Sequence, residues 1–447
     1  MASPSVFAQI LDYDNRANPY PLYAELRKTQ VARQQDGSYV VSTYREIEEL
    51  LHDPRISSDT SNLAHPGVGV DDTPGEGPSF INLDPPHHDR LRRLAMRHFG
   101  PPHTPGRVDG MAADLRGIVT GLIDDFAGKN EVDIVDEFAF PFPVTVICEL
   151  LGVPREDVPR FHAWVEAGIE SLNPNASPEQ QQKVAQAVAD LGGYLTELIE
   201  THRRAPGNDL LSAMATDDGP DGRMTQDELL STAKLLLVAG HETTVNLITN
   251  GTLTLLRHPD VLERLRHDPE LVIRTVEEVL RYEPPVQFVP WRAALDDIEV
   301  AGTTIPAGAQ VMLVLASGNR DPDHVRDPDR FDPDRFDPDR FGLARDDVQH
   351  LAFSSGIHYC FGAPLARLEA QIALGELARR LEHPRLVTDP PPYRPNPVLR
   401  GPLHLLVEFD RVITAQPTAD ATRPNEPQEQ PSAHGARRQR RGAQTRG

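Results

Sequence analysis

Cysteine is nearly absent from this chain: 447 residues carry two, Cys148 and Cys360. That excludes a disulfide scaffold and fits a reducing compartment, so a cytoplasmic protein is expected. Long apolar runs are missing as well. No 18 consecutive residues are apolar, so no segment reads as a transmembrane helix, and the first residues lack the basic-then-apolar pattern of a secretory signal. Positive charge is scarce: the net charge is −22, which argues against nucleic acid as a partner. No Gly/Ser linker divides the chain. What is present is an ordinary globular composition, 39% hydrophobic and 25% charged, with helical patterns through most of the length. One large domain is the reading, despite a length that would allow two or three. Cys148, in the apolar run Val144-Thr145-Val146-Ile147-Cys148-Glu149-Leu150-Leu151, reads as plain core.

Cys360 has a different setting. In Phe353-Ser354-Ser355-Gly356-Ile357-His358-Tyr359-Cys360-Phe361-Gly362 it stands between two glycines, two residues after a histidine, with a long helical pattern following. Gly356 and Gly362 let the backbone turn tightly and approach a flat ligand. A cysteine so placed can present a single thiolate, one of the few protein ligands that hold haem iron and push electron density onto it. A buried cysteine beside a satisfied histidine is the alternative; the length of the F-x-x-G-x-H-x-C-x-G spacing favours haem.

Other segments carry chemistry with two readings each. Pro86 suits a helix start, and His88 and Arg92 then share one helical face, either as a carboxylate clamp or as part of a solvated basic helix. The longest helix is expected from about 225 to 258, opened by the capping box Thr225-x-x-Glu228 and closed by Pro259. Near its centre stands Ala239-Gly240-His241-Glu242-Thr243-Thr244. A mid-helix glycine costs about 1 kcal/mol against alanine, so Gly240 serves either a close ligand or helix packing. An acid beside an alcohol can pass protons; alternatively Glu242 pairs with an arginine. Glu278-x-x-Arg281 ends another helix and by spacing alone is an ordinary surface pair.

Shorter elements fill the rest. A helix is expected at 18–30, then a hairpin from Val31 to Thr43 with Asp36-Gly37 as its turn. Val286-Gln287-Phe288-Val289-Pro290-Trp291-Arg292 and Gln310–Leu315 read as strands of a small β region. Residues 64–79 form a long Gly/Pro/Asp-rich loop, either functional or plain flexible surface. Asp-Pro-Asp-Arg-Phe repeats three times from Asp327, Asp332 and Asp337, too rich in proline for a helix; a surface duplication is the simpler reading. From about Gln416 the chain is too polar to bury a core and reads as a disordered tail.

The cysteine loop resembles that of the cytochrome P-450 family in its soluble bacterial, actinobacterial-like form, whose usual pattern is Phe-Gly-x-Gly-x-His/Arg-x-Cys. Ser354 replaces the first glycine and leaves the cysteine position clear. The resemblance extends over about 15–410, leaving 1–14 as an N-terminal segment and 416–447 as the tail. It implies the cytochrome P-450 fold, mainly α with a small β region, with haem b between the long central helix and the helix after the cysteine. By the family's motifs Cys360 is the iron ligand. Asp84-Pro85-Pro86-x-His88-x-x-x-Arg92 and Arg292 supply propionate ligands, and Ala239, Gly240 and His358 also belong to the haem site. Glu242 is the acid and Thr243 the alcohol of a proton relay. Val286, Phe288 and Val289 line the substrate, and Glu278 and Arg281 form a buried scaffold.

The activity so implied is insertion of one atom of O2 into a small apolar organic substrate, by hydroxylation or epoxidation. No flavin, nicotinamide or iron–sulfur segment is visible, so a separate ferredoxin or flavodoxin with its reductase is expected as electron donor. Arg90, Arg93, Arg97 and Arg367 are candidate contacts for it. The alternatives are a peroxygenase driven by H2O2, which the Glu242-Thr243 pair disfavours, a thiolate-haem isomerase or dehydratase, and a non-catalytic haem sensor. The substrate itself is not legible.

Overall fold

Capping and periodicity set the longest element first. In the computed structural model, which describes residues 4–64, 79–100, 106–161, 163–164, 178–337 and 349–414, five helices position the site: α1 (His87–Phe99), α2 (Pro141–Leu150), α3 (Gln226–Arg257), α4 (Leu271–Tyr282) and α5 (Ala363–Arg380). The expected capping box opens α3: Glu228 N donates to Thr225 Oγ1 at 3.2 Å and Thr225 N to Glu228 Oε2 at 2.8 Å. Each bond satisfies an N–H that has no partner inside the helix, and such a cap contributes about 1 kcal/mol. From Thr244 to Leu255 every residue of α3 is buried. Its threonines survive there because their hydroxyls donate back up the helix, Thr249 to Val245 at 3.0 Å and Thr252 to Ile248 at 2.8 Å.

α3 packs on α2 and on α5. A Cβ built on Gly251 would come within 2.7 Å of Leu374 Cδ1 of α5, so this glycine lets the two helices approach. Cys148 lies wholly buried in α2, as its apolar run suggested, and burial pushes its thiol up to about 12.

The β region has two sheets that matter here. Strands β1 (Val31–Arg33), β2 (Tyr39–Val41), β3 (Ile56–Ser57), β5 (Val289–Ala294) and β6 (Gln310–Leu313) form a five-stranded sheet in the order β1-β2-β6-β5-β3. The β1–β2 hairpin turns through Gly37 at φ +90°, a conformation that favours glycine. β4 (Glu131–Asp133), β7 (Arg385–Leu386) and β8 (Leu406–Glu408) form a three-stranded sheet with β8 in the middle. The early helix is shorter than expected, Tyr20–Leu26.

Two expectations are corrected. Phe288 does not face a ligand pocket: it is buried against Phe7, ring centroids 5.7 Å apart, in a cluster with Tyr20 and Tyr23. Alternation along the strand puts Phe288 and Val289 on opposite faces, and Val286 and Val289, both half-buried, pack against a different cluster. The Asp-Pro-Asp-Arg-Phe repeats are not a loose surface duplication either. Phe331 of the first packs on Tyr282 and His258. The second forms a 3-10 turn, Pro333–Phe336, whose Asp334 meets Arg264 at 2.7 Å. The third, past Asp337, lies outside the described residues, as do most of the 64–79 loop and the tail.

Candidate functional site

The cysteine loop runs from Phe353 to the start of α5. Cys360 is half-buried and free, and the backbone N–H groups of Gly362 and Ala363, at the start of α5, act on its thiol. Burial pushes the thiol up; those two N–H groups and the charges of Arg92 and Arg367 pull the other way, and burial wins. The arrangement is one that a bound cation would turn into a held thiolate.

The two loop glycines have different conformations. Gly356 has φ +67°, and a Cβ there would sit 2.2 Å from the carbonyl oxygen of Leu51. Glycine is required there by the close approach of another part of the protein. Gly362 has an ordinary φ of −78° and caps α5. Ser354, where glycine would be at ease, is held at φ 62° with its hydroxyl buried and unpartnered.

Around the cysteine, basic side chains gather. His88 and His358 lie with ring centroids 4.4 Å apart, and His88 Nε2 is buried without a hydrogen-bond partner. Arg92 donates only to the Tyr359 carbonyl and Arg292 only to that of Trp291; among the described residues neither is in an ion pair with a carboxylate. The consequence is electrostatic. Burial pushes His358 down to about 3, and Arg292, His88 and Arg92 push the same way. Burial also lowers Arg292 to about 10, with only Asp84 opposing. His88 Nδ1 meets Asp89 Oδ1 at 2.8 Å, but two arginines without an ion-pair partner are what a flat group bearing two carboxylates would neutralise. The donor set fits haem: one soft sulfur for iron, and His88, Arg92 and Arg292 for the two propionates.

α3 supplies the opposite side of the predicted site. Val238, Ala239 and Gly240 are exposed in mid-helix although buried residues flank them. A Cβ on Gly240 would meet only Ile147 Cδ1, at 3.8 Å. Protein packing therefore does not require this glycine, unlike Gly251, and the surface there is open to a flat group. Thr243 Oγ1 donates to the Ala239 carbonyl at 2.7 Å. Glu242 is buried; Asn246 Nδ2 donates to its Oε1 at 3.2 Å and Arg394 Nε lies 3.3 Å from the same oxygen. Burial raises its carboxyl above the usual range in spite of Arg394. Arg394 and Asn246 were missed in the sequence, where Arg394 lies in a proline-rich stretch without a motif.

Glu278 and Arg281 form a wholly buried bidentate pair. The four arginines expected to contact an electron donor are each in an ion pair. Arg90 is paired with Glu228, Arg93 with Asp221, Arg97 with Asp217 and Asp221, and Arg367 with Glu277. Their partners are carboxylates from distant segments. Among the described residues no helix is long and apolar enough to cross a membrane.

Comparison with known proteins gives the family. The cytochrome P-450 family model matches residues 4–409. The monooxygenase PikC of Streptomyces venezuelae is 40% identical, over 92% of this chain and 96% of its own. Vitamin D(3) 25-hydroxylase of Pseudonocardia autotrophica is 40% identical over 80% and 85%. Of solved structures, CYP109Q5 of Chondromyces apiculatus matches with a TM-score of 0.80 at 35% identity, over 91% of this chain and 98% of its own. The chain belongs to the cytochrome P-450 family. It is accordingly a haem b monooxygenase of the type found among bacterial hydroxylases.

Proposed function

We propose that this chain inserts one atom of O2 into a C–H or C=C bond of an apolar organic molecule, with two electrons delivered by a separate ferredoxin or flavodoxin and its reductase. Cys360 would ligate the iron, and His88, Arg92 and Arg292 would hold the propionates, with His358 beside them. Bound haem supplies the activation and cleavage of O2, which an electron-rich thiolate favours. The chain's own share is positioning and proton control. Ala239 and Gly240 leave room for the flat face of the group. Thr243 can turn its hydroxyl from the Ala239 carbonyl toward the ligand side. Glu242, whose raised carboxyl holds a proton more readily than an exposed glutamate, supplies the proton that makes one oxygen atom leave as water.

Val286 and Val289 are the apolar side chains we assign to the substrate; Phe288 is not among them. That one relative is named for hydroxylating vitamin D(3) supports a large, mostly hydrocarbon substrate. The observation that carries the reading is the gathering of His88, Arg92 and Arg292 near a half-buried Cys360, with neither arginine in an ion pair with a carboxylate among the described residues.

The test is the absorption spectrum of the dithionite-reduced holoprotein under CO, for the wild type and for Cys360→Ala. A strongly red-shifted Soret band that disappears in the variant supports thiolate ligation. A histidine-type spectrum, or a band unaffected by the substitution, would overturn it.

A further inference from the structure

Ser58 reaches the haem side of the fold from a segment without a motif. It follows β3 at the edge of the five-stranded sheet, and only 2% of it is exposed. β3 runs antiparallel to β5, with Ile56 opposite Ala294 and Ser57 opposite Ala293. Continued by one residue, that register sets Ser58 opposite Arg292. The Ser58 hydroxyl lies 2.8 Å from His358 Nε2, across 300 positions of sequence. Ser58 thus stands between two of the residues gathered near Cys360, one from β5 and one from the cysteine loop.

The serine is itself held from the other side. Its backbone N–H donates to Asp84 Oδ1 at 2.9 Å, and the hydroxyl of Ser57 donates to the other oxygen of the same carboxylate. The Asp84 carbonyl accepts the N–H of His88, in the first turn of α1, at 3.0 Å. Asp84 therefore fastens the end of β3 to the start of α1, and the Ser58 hydroxyl carries that anchorage to His358. An imidazole needs such a partner, because rotation about its χ2 is broad and roughly two-fold. A hydrogen bond to one ring nitrogen settles which way the other points. Here Nε2 is engaged, which leaves Nδ1 as the ring nitrogen for a ligand.

We propose that Ser58 is a positioning residue of the haem site: its hydroxyl fixes the ring of His358 so that Nδ1 is presented to a haem propionate. The inference rests on the reading that His358 lies beside the propionates, and adds the residue that sets the ring. It also gives Asp84 a place. A carboxylate repels a propionate, so an acid among these basic residues serves by holding Ser58 rather than by binding the group.

The experiment reads the propionates of the full-length holoprotein in two ways: the propionate bending band of the resonance Raman spectrum, and the rate at which ferric haem passes to excess apomyoglobin. Ser58→Ala keeps the backbone N–H on Asp84 and removes only the hydroxyl. It should shift the band toward the position found in His358→Leu and raise the rate of haem loss about two- to tenfold, the factor that one hydrogen bond carries. Made on His358→Leu, Ser58→Ala should change neither. A band that Ser58→Ala leaves in place overturns the proposal. So does an effect of equal size with and without His358, which would make Ser58 a residue of the fold alone. Failure of the underlying reading is told apart by the single variant: if His358→Leu leaves band and rate at their wild-type values, His358 is not beside the propionates, whereas if it moves them and Ser58→Ala does not, only the role of Ser58 falls.

Discussion

Arg281 lays its guanidinium bidentate on Glu278, Nε to Oε2 at 2.8 Å and Nη2 to Oε1 at 2.7 Å, with neither side chain exposed. Its remaining donors go to the carbonyls of Asn319, Pro328 and Arg330, and Glu278 accepts the backbone N–H of Asp332 at 2.9 Å. The pair therefore clamps α4 onto the first two Asp-Pro-Asp-Arg-Phe units, which precede the cysteine loop. An exposed pair at this spacing contributes a few tenths of a kcal/mol. Here, Glu278→Ala leaves the Arg281 charge buried without its carboxylate, and a loss of about 3–5 kcal/mol is expected; Arg281→Ala should cost less, because Arg335 Nε lies 3.7 Å from Glu278 Oε2. Denaturant unfolding of the holoprotein measures it; a loss below about 1 kcal/mol, the value of an exposed pair, would show that the clamp does not hold this segment.

Ser354 and Gly356 make opposite predictions within one loop. Ser354 is held at φ 62°, which costs a residue with a Cβ about 1–2 kcal/mol. Ser354→Gly should therefore raise stability, by about 1 kcal/mol once the greater freedom of glycine in the unfolded chain is counted. Gly356→Ala combines the strained φ with a Cβ 2.2 Å from a backbone oxygen, so the loop must shift and haem retention should fall. Thermal unfolding and the haem-to-protein absorbance ratio of the two purified variants check both; equal behaviour would refute the conformational argument.

Acid should unfold the protein partly through Glu277. Burial alone would raise its carboxyl, but the hydrogen bonds and charges of His350 and Arg367 lower it to about 2. A carboxylate whose folded pKa is depressed stabilises the fold above its unfolded pKa, and that contribution disappears as pH falls through the folded value. The window is thus from about 4.5 down to about 2, and the contribution is at most about 3 kcal/mol at one pKa unit per 1.36 kcal/mol. Urea unfolding across this window should show wild type and Glu277→Gln converging toward low pH. A constant difference between them would exclude the mechanism.

The same Arg367 shows where local reading stopped. In the sequence it is one of four arginines that suit an acidic partner. In the fold its guanidinium is occupied by Glu277, 90 positions earlier, and the other three are likewise held by carboxylates more than 100 positions away. Net charge along a segment does not reveal which cations a distant loop has already neutralised. Phe288 failed for a related reason: alternation states that Phe288 and Val289 point apart, but not which face meets the ligand.

Elements governed by contacts within a turn or two were legible in the residues alone. Thr225 and Glu228 cap α3 because both reach each other's N–H within one turn. Gly37 turns the hairpin because its φ is open only to glycine. The cysteine loop announced itself because a thiolate, two glycines and a histidine lie within seven residues. Tertiary structure decided what depends on burial and on long loops closing: that Glu278–Arg281 is a buried clamp, that Gly240 is left open while Gly251 is packed, and that Arg394 reaches Glu242 across 152 positions. The free energy of those contacts comes from desolvation and shape, which no spacing in the sequence encodes.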